Sequence, residues 1–141
     1  MAAVAGHRHV AQDGGWAIDA WGPDTPSCAT EALKAVVETF ARTPDRPTAR
    51  VVPLSSGVAD GPEDALASVL EEVIDDIDVF SLVPVRFHLG EPEDGGLAGD
   101  MEAVPSREAE LLGPAPTSVL RHGLSMSRQD GTWHCHVVVT T

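Results

Sequence analysis

The sequence has no tyrosine and only three tryptophans and three phenylalanines, so its core has to be built mostly from Val, Leu and Ala. It has a single lysine, Lys34, among nine basic residues, against 22 acidic ones, for a formal net charge of −13. That balance excludes tight direct contact with nucleic acid, where clustered Lys and Arg must displace counterions. A basic protein partner, a metal ion or plain solubility stay compatible with it. No run approaches eighteen apolar residues, so no membrane contact is expected. The opening "MAAVAGHRHVAQDGG" has no apolar stretch ahead of a cleavage site, and a cytoplasmic location is expected. Cys28 and Cys135 lie far apart and form no CxxC pair; in a reducing compartment they are expected as free, buried thiols. There is no GxGxxG after a strand, and no GxxxxGK[ST], GxSxG, HExxH or EF-hand loop, so nothing points to a common cofactor enzyme.

What is present reads as one domain over residues 1–141, with 1–6 expected to be disordered. "GWAIDAW" (15–21) alternates as a strand, with Trp16, Ile18 and Ala20 on one side. Thr25 is the expected N-cap of a first helix, with Pro26 at its first position; Ala29, Leu33, Val36, Val37 and Phe40 follow at helical spacing. That helix must stop before Pro44. "TARVVPL" is a strand. A second helix carries the stripe Leu66, Val69, Leu70, Val73, Ile74 and Ile77. "LVPVRFHLG" and "GLAGDMEAV" read as strands joined by the turn "EPEDGG", and "PSREAELLGPAP" as irregular chain or one short helical turn. "TSVLRHGLSM" and "TWHCHVVVT" are two last strands joined around "SRQDG", where Asp130-Gly131 is a hairpin signal. The expected fold is α+β, two helices packed on one face of a mixed, mainly antiparallel sheet.

"WHCHVVVTT" holds three consecutive candidate ligands, His134, Cys135 and His136. Strand side chains alternate, so Trp133, Cys135, Val137 and Val139 share one face, and His134, His136, Val138 and Thr140 the other. Cys135 is therefore expected in the core, away from any histidine base. His7 and His9 repeat the His-x-His spacing near the start. If first and last strands adjoin, His7, His134 and His136 are candidates for a shared zinc site. The alternative is soluble side chains on an exposed sheet face. In the second helix, Glu71, Glu72, Asp75, Asp76 and Asp78 crowd the C-terminal half, where the helix dipole disfavours negative charge, with no Lys or Arg inside the helix to offset them. They read as a solvated face, a docking surface for a basic partner, or carboxylates of a hard-cation site.

Taken together, these pieces resemble the archease family from about His7 to Thr141. "HVAQ" (9–12) stands where that family has His-Thr-Ala-Asp, followed by "IDAWG" for its I-x-x-W-G pattern. "PSCATEALKAVVETF" is similar to its first helix and "LEEVIDDID" (70–78) to its Leu-x-Glu-Leu run. "TSVLRHGL" (117–124) is similar to its Lys-Ala-x-Thr-x-His-x-Leu motif, and "WHCHVVVTT" to its terminal strand. No motif is specific alone; their order over the chain is.

The resemblance implies a non-enzymatic accessory protein that promotes guanylylation and multiple turnover of the RNA-splicing (tRNA) ligase. It also implies a divalent metal, Ca²⁺ or Mg²⁺, held between the N-terminal motif and the last strand. His9, Glu72, Asp78 and His122 keep the family's residue types. The family's metal-site aspartates fall on Gln12 and Thr140, and its motif lysine on Thr117; Asp13, one residue on, would substitute only after a local shift. Replacing carboxylates by neutral oxygens removes the charge that holds a hard cation. A regular one-residue slip would turn Asp13 to the wrong face. His136 lies roughly 13 Å along the strand from Thr140, too far to share its ion. The alternative function is a protein-binding module that keeps the fold without metal or ligase activation.

Overall fold

Residues 4–43, 50–92 and 95–141, as described by a computed structural model, form nine strands and two helices. Pro44 and part of the 91–96 turn lie outside the described residues. In chain order the elements are β1 (Gly6–Gln12), β2 (Gly15–Gly22), α1 (Thr25–Glu38), β3 (Ala41–Arg42), β4 (Arg50–Ser55) and α2 (Pro62–Phe80). They continue with β5 (Leu82–Gly90), β6 (Ala98–Pro105), β7 (Glu110–Leu111), β8 (Ser118–Gln129) and β9 (Thr132–Thr140), with a 3-10 turn at Ser106–Glu108.

Local chemistry accounts for the boundaries. Asp24, not Thr25, caps α1: its Oδ1 accepts from the Ser27 N–H at 2.8 Å, and Thr25 and Pro26 form the first helical positions. The shorter hydroxyl loses to a carboxylate that also meets the positive end of the helix. α2 starts at Pro62 after Gly61, carries Glu63 and Asp64 in its first turn, and stops at Ser81, which adopts a left-handed conformation (φ 51°). Asp130 and Gly131 both have positive φ, 53° and 78°, the backbone of the tight turn joining β8 to β9.

All the strand pairs are antiparallel, and they form two main sheets rather than the single one expected. One has the order β1-β2-β9-β8, the other β4-β6-β5, and β3 pairs with β7 as a short ribbon. α1 packs on β1, β2, β9 and β5, and α2 on β8, β4 and β5, so both helices bridge the two sheets. That is why α1 is buried around most of its circumference, leaving Lys34 and Glu38 exposed. The core joins Ile18 and Ala20, Leu33 and Val36, Leu66, Leu70 and Val73, Met101, Val137 and Val139. The α2 stripe is buried throughout, as its spacing predicts.

β1 is an added strand. Gly6, placed in the disordered tail by the sequence reading, opens it opposite Trp21; residues 1–3 lie outside the described residues. The strand is hard to see because its inward side chains are His7, His9 and Ala11. They stand opposite Ala20, Ile18 and Trp16, on the face turned to α1.

Candidate functional site

The register across the four-stranded sheet decides which candidates meet. On its outer face four rows cross all four strands, the first being Gly6, Trp21, His134 and Ser127, and three more follow. One is Arg8, Asp19, His136 and Ser125; the next is Val10, Ala17, Val138 and Leu120; the last is Gln12, Gly15, Thr140 and Ser118. Gln12 and Thr140, the positions that the resemblance sets against a metal, therefore lie at the end of the sheet, beside the turn Asp13-Gly14.

The residue facing Thr140 is Gly15, and Gln12 stands one strand farther out. Asp13 sits in the exposed turn, outside the ladder, with Gly14 at φ 79°. A Cβ at Gly15 would collide with the Val139 carbonyl oxygen and lie 3.0 Å from Thr140 Cα, so this position accepts no side chain without moving the backbone of β9. Thr140 is already engaged: Thr117 and Ser118 hydroxyls lie within hydrogen-bond distance of its Oγ1, and the Thr117 N–H donates to its carbonyl at 2.7 Å. A primary amide and self-satisfied hydroxyls offer no charge to a hard cation, and do not fit a Ca²⁺ or Mg²⁺ site, which uses carboxylates.

The other motif residues go elsewhere. His122 is exposed on β8, where the pairing with β9 is interrupted between Leu120 and Ser125. Asp78 is exposed near the end of α2. Glu72 accepts from the Ser55 N–H of β4 at 3.2 Å. Burial, with the charges of Asp76 and Asp75, raises the Glu72 carboxyl against that hydrogen bond. Burial and Asp75 likewise raise Asp76, against the charge of Arg50. The acidic face also has a cation that the helix alone does not show. Arg121 of β8 reaches Glu71 (Nε to Oε1, 2.8 Å) and Asp64 (NH1 to Oδ1, 2.9 Å).

The two His-x-His pairs stand on opposite faces of the sheet, with β2 between their strands. His7, His134 and His136 therefore do not converge on a zinc ion. Outside, His136 Nδ1 is 2.9 Å from Asp19 Oδ1, and Arg8 Nε donates to Asp19 Oδ2 at 3.3 Å; His134 is exposed. Inside, His7 is clasped by α1: Nδ1 is 2.8 Å from Glu31 Oε1 and Nε2 is 2.9 Å from both oxygens of Glu38. Lys34 Nζ donates to Glu31 Oε2 at 3.1 Å. His9 rests edge-on against Trp16, ring centroids 5.2 Å apart. Burial alone would lower the His7 pKa, but the hydrogen bonds and charges of Glu31 and Glu38 outweigh it and raise it. Among the described residues no three His, Cys, Asp or Glu side chains are placed to share a metal ion.

Both cysteines are free and buried. Cys135 faces the core on β9, where its hydrogen bond with Cys28, then burial, push its thiol well above the usual range. A buried thiol held protonated is a poor nucleophile. Among the described residues no helix is long and apolar enough to cross a membrane.

Sequence reading missed three features: the His7–Glu31–Glu38 clasp, the Arg121 bridge and the pairing of Gly15 with Thr140. Only the last left a local signal, since "DG" after a strand is a tight-turn dipeptide and the turn sets the register.

The fold is shared with known proteins. The chain is 31% identical over 137 residues to a probable protein archease from Mycobacterium tuberculosis, covering 96% of this chain and 74% of that one. The solution structure of Methanobacterium thermoautotrophicum protein 1598 superposes with a TM-score of 0.72 at 19% identity, over 96% of this chain and 99% of that one. The crystal structure of a Thermotoga maritima archease, described as a possible chaperone, gives 0.65 at 14% identity, over 95% and 99%. The archease protein family (MTH1598/TM1083) model matches residues 8–140, and the chain belongs to that family.

Proposed function

We propose that this chain acts as an accessory protein of the RNA-splicing ligase, promoting the ligase's guanylylation and multiple turnover, while the ligase performs the chemistry. Membership of the archease family over residues 8–140 is the observation that supports it. A net charge of −13 suits docking to a basic protein rather than to RNA. The hydroxyl row at Thr140 supports the further reading that the protein works without the family-type cation.

Two measurements test this. Added to purified ligase from the same organism with a guanylyl donor, the protein should raise the yield of guanylylated ligase and the number of RNA joinings per ligase. An unchanged yield would overturn the ligase reading and leave the alternative, a binding module for another basic protein. Melting of metal-stripped protein should be indifferent to Ca²⁺, Mg²⁺ and Mn²⁺. A ligand at 100 times its dissociation constant adds about 2.7 kcal/mol, so even one bound ion would be visible. A shift with Ca²⁺ or Mg²⁺ would contradict the cation-free reading. A shift with Zn²⁺ that His134→Ala removes would restore the transition-metal reading.

A further inference from the structure

α1 starts so close to the sheet that its first turn puts a side chain into the core. Gly22, the last residue of β2, is the reason. A Cβ there would lie 2.9 Å from the Cys28 backbone nitrogen and from Ser27 Cβ, so a side chain would push the helix start away. Cys28 belongs to that first turn: its N–H donates to the Asp24 carbonyl at 3.1 Å, and its Sγ donates to the Ala20 carbonyl of β2 at 3.5 Å. Ala20 is in turn the register partner of Cys135 on β9. With only a methyl group opposite Cys135, there is room for a second sulfur beside it, and the two thiols are hydrogen-bonded to each other. Cys28 is 0% exposed and Cys135 3%. The docking and metal readings use neither thiol.

We infer that Cys28 and Cys135 form a peroxide-sensitive thiol pair, which closes into a disulfide tying the start of α1 to β9, an inner strand of its sheet. The two sulfurs are not equivalent. Cys28 stands at the positive end of α1, where a thiolate is favoured. The hydrogen bond from Cys135 lowers the Cys28 thiol, against burial and the charge of Glu31. The same contact, with burial, keeps Cys135 protonated. Cys28 is therefore the attacking group. Its thiolate bonds to one oxygen of hydrogen peroxide and the O–O bond breaks, leaving Cys28 as a sulfenic acid. The other oxygen leaves as hydroxide and takes up the proton that Cys28 had released, making water. With Cys28 no longer anionic, the contact that held the Cys135 proton is gone. Cys135 then attacks Cys28 Sγ: the S–S bond forms, the S–O bond breaks, and the departing hydroxyl leaves with the Cys135 proton as a second water. Two thiols lose two electrons, and one peroxide is reduced to two waters. The sulfurs close from hydrogen-bond contact to about 2.05 Å. Peroxide is little larger than water, and local opening of the helix start admits it. In a reducing compartment such a bond is transient, as in redox-sensing proteins. The inference is independent of the ligase reading.

The test treats the whole reduced protein, freed of reductant, with hydrogen peroxide and counts its thiols in denaturant. They should fall from two to none. The monomer should lose the mass of two hydrogens, peptides holding Cys28 and Cys135 should be joined, and dithiothreitol should restore both thiols. The oxidised protein should melt at a higher temperature than the reduced one, because the bond closes a loop over most of the chain. Cys135→Ser cannot make the bond and should accumulate a Cys28 sulfenic acid that dimedone labels. Cys28→Ser should leave Cys135 unlabelled under the same treatment. Two remaining wild-type thiols, a bond formed only between two molecules, or equal melting of the two forms would each overturn the inference. So would labelling of Cys135 in Cys28→Ser, or none at Cys28 in a folded Cys135→Ser. The wild-type measurements decide the matter even where a serine variant fails to fold.

Discussion

Glu31→Ala should cost about 3 kcal/mol of stability near pH 6, the low end of what breaking a buried ion pair costs. Glu31 is 9% exposed and holds two cations at once, His7 through Oε1 and Lys34 through Oε2. Its removal would leave His7 partly buried with only the more exposed Glu38 as a partner. The loss should depend on pH in a definite direction. The His7 pKa is raised in the folded state, so its contribution is complete below its unfolded value of about 6.5 and disappears as pH rises through the folded value. Burial alone would raise the Glu31 pKa, but its bonds and charges with His7 and Lys34 lower it. Its contribution is therefore present above its unfolded value and lost as pH falls through the folded one. The clasp is strongest between those two limits. Urea denaturation of wild type and Glu31→Ala on both sides of the His7 transition measures it. Equal differences at the two pH values would mean that His7 is not charged in the fold. Lys34→Ala, at an exposed cation, should change stability by no more than about 1 kcal/mol.

The clasp also shows where sequence reading stops. The α2 stripe, the Asp130-Gly131 turn and the separation of Cys135 from its flanking histidines were legible, because each depends on spacing within one segment. β1 was not. Its inward face carries His7 and His9, whose burial makes sense only once the carboxylates of α1 are beside it. Two sheets instead of one were equally hidden, since the pairing of β2 with β9 and of β4 with β6 joins segments far apart in the chain. The same limit applied to the acidic helix, whose compensating cations, Arg121 and Arg50, come from β8 and β4. The register around Gln12 and Thr140 was not legible either. Counting along the chain put the family aspartate on Gln12, whereas the tight Asp13-Gly14 turn brings Gly15 opposite Thr140.

That register makes a second large effect testable. Gly15→Asp, which would put a carboxylate on the strand position facing Thr140, should destabilise the protein by at least about 3 kcal/mol, at or beyond the usual cost of overpacking. The obstacle is the Cβ itself. It would run into the Val139 carbonyl oxygen and press on Thr140 Cα, and both are backbone atoms of a strand paired on both sides. Gly15→Ala should therefore lose nearly as much as Gly15→Asp, and neither variant should gain a response to Ca²⁺ or Mg²⁺. Thr140→Asp is the contrasting case. Its side chain is half-buried on the outer face and gives up only hydroxyl contacts with Thr117 and Ser118, so the loss should stay near 1 kcal/mol. Thermal denaturation of the three variants with and without divalent cations separates these expectations. If Gly15→Asp melted like wild type, the close approach of β2 to β9 would be wrong. If Gly15→Asp with Thr140→Asp then gained stability from Ca²⁺, the position would need only its charges restored. A steep loss in both Gly15 variants, with no cation response, would mean that the backbone of β9 leaves no room for a carboxylate facing Thr140.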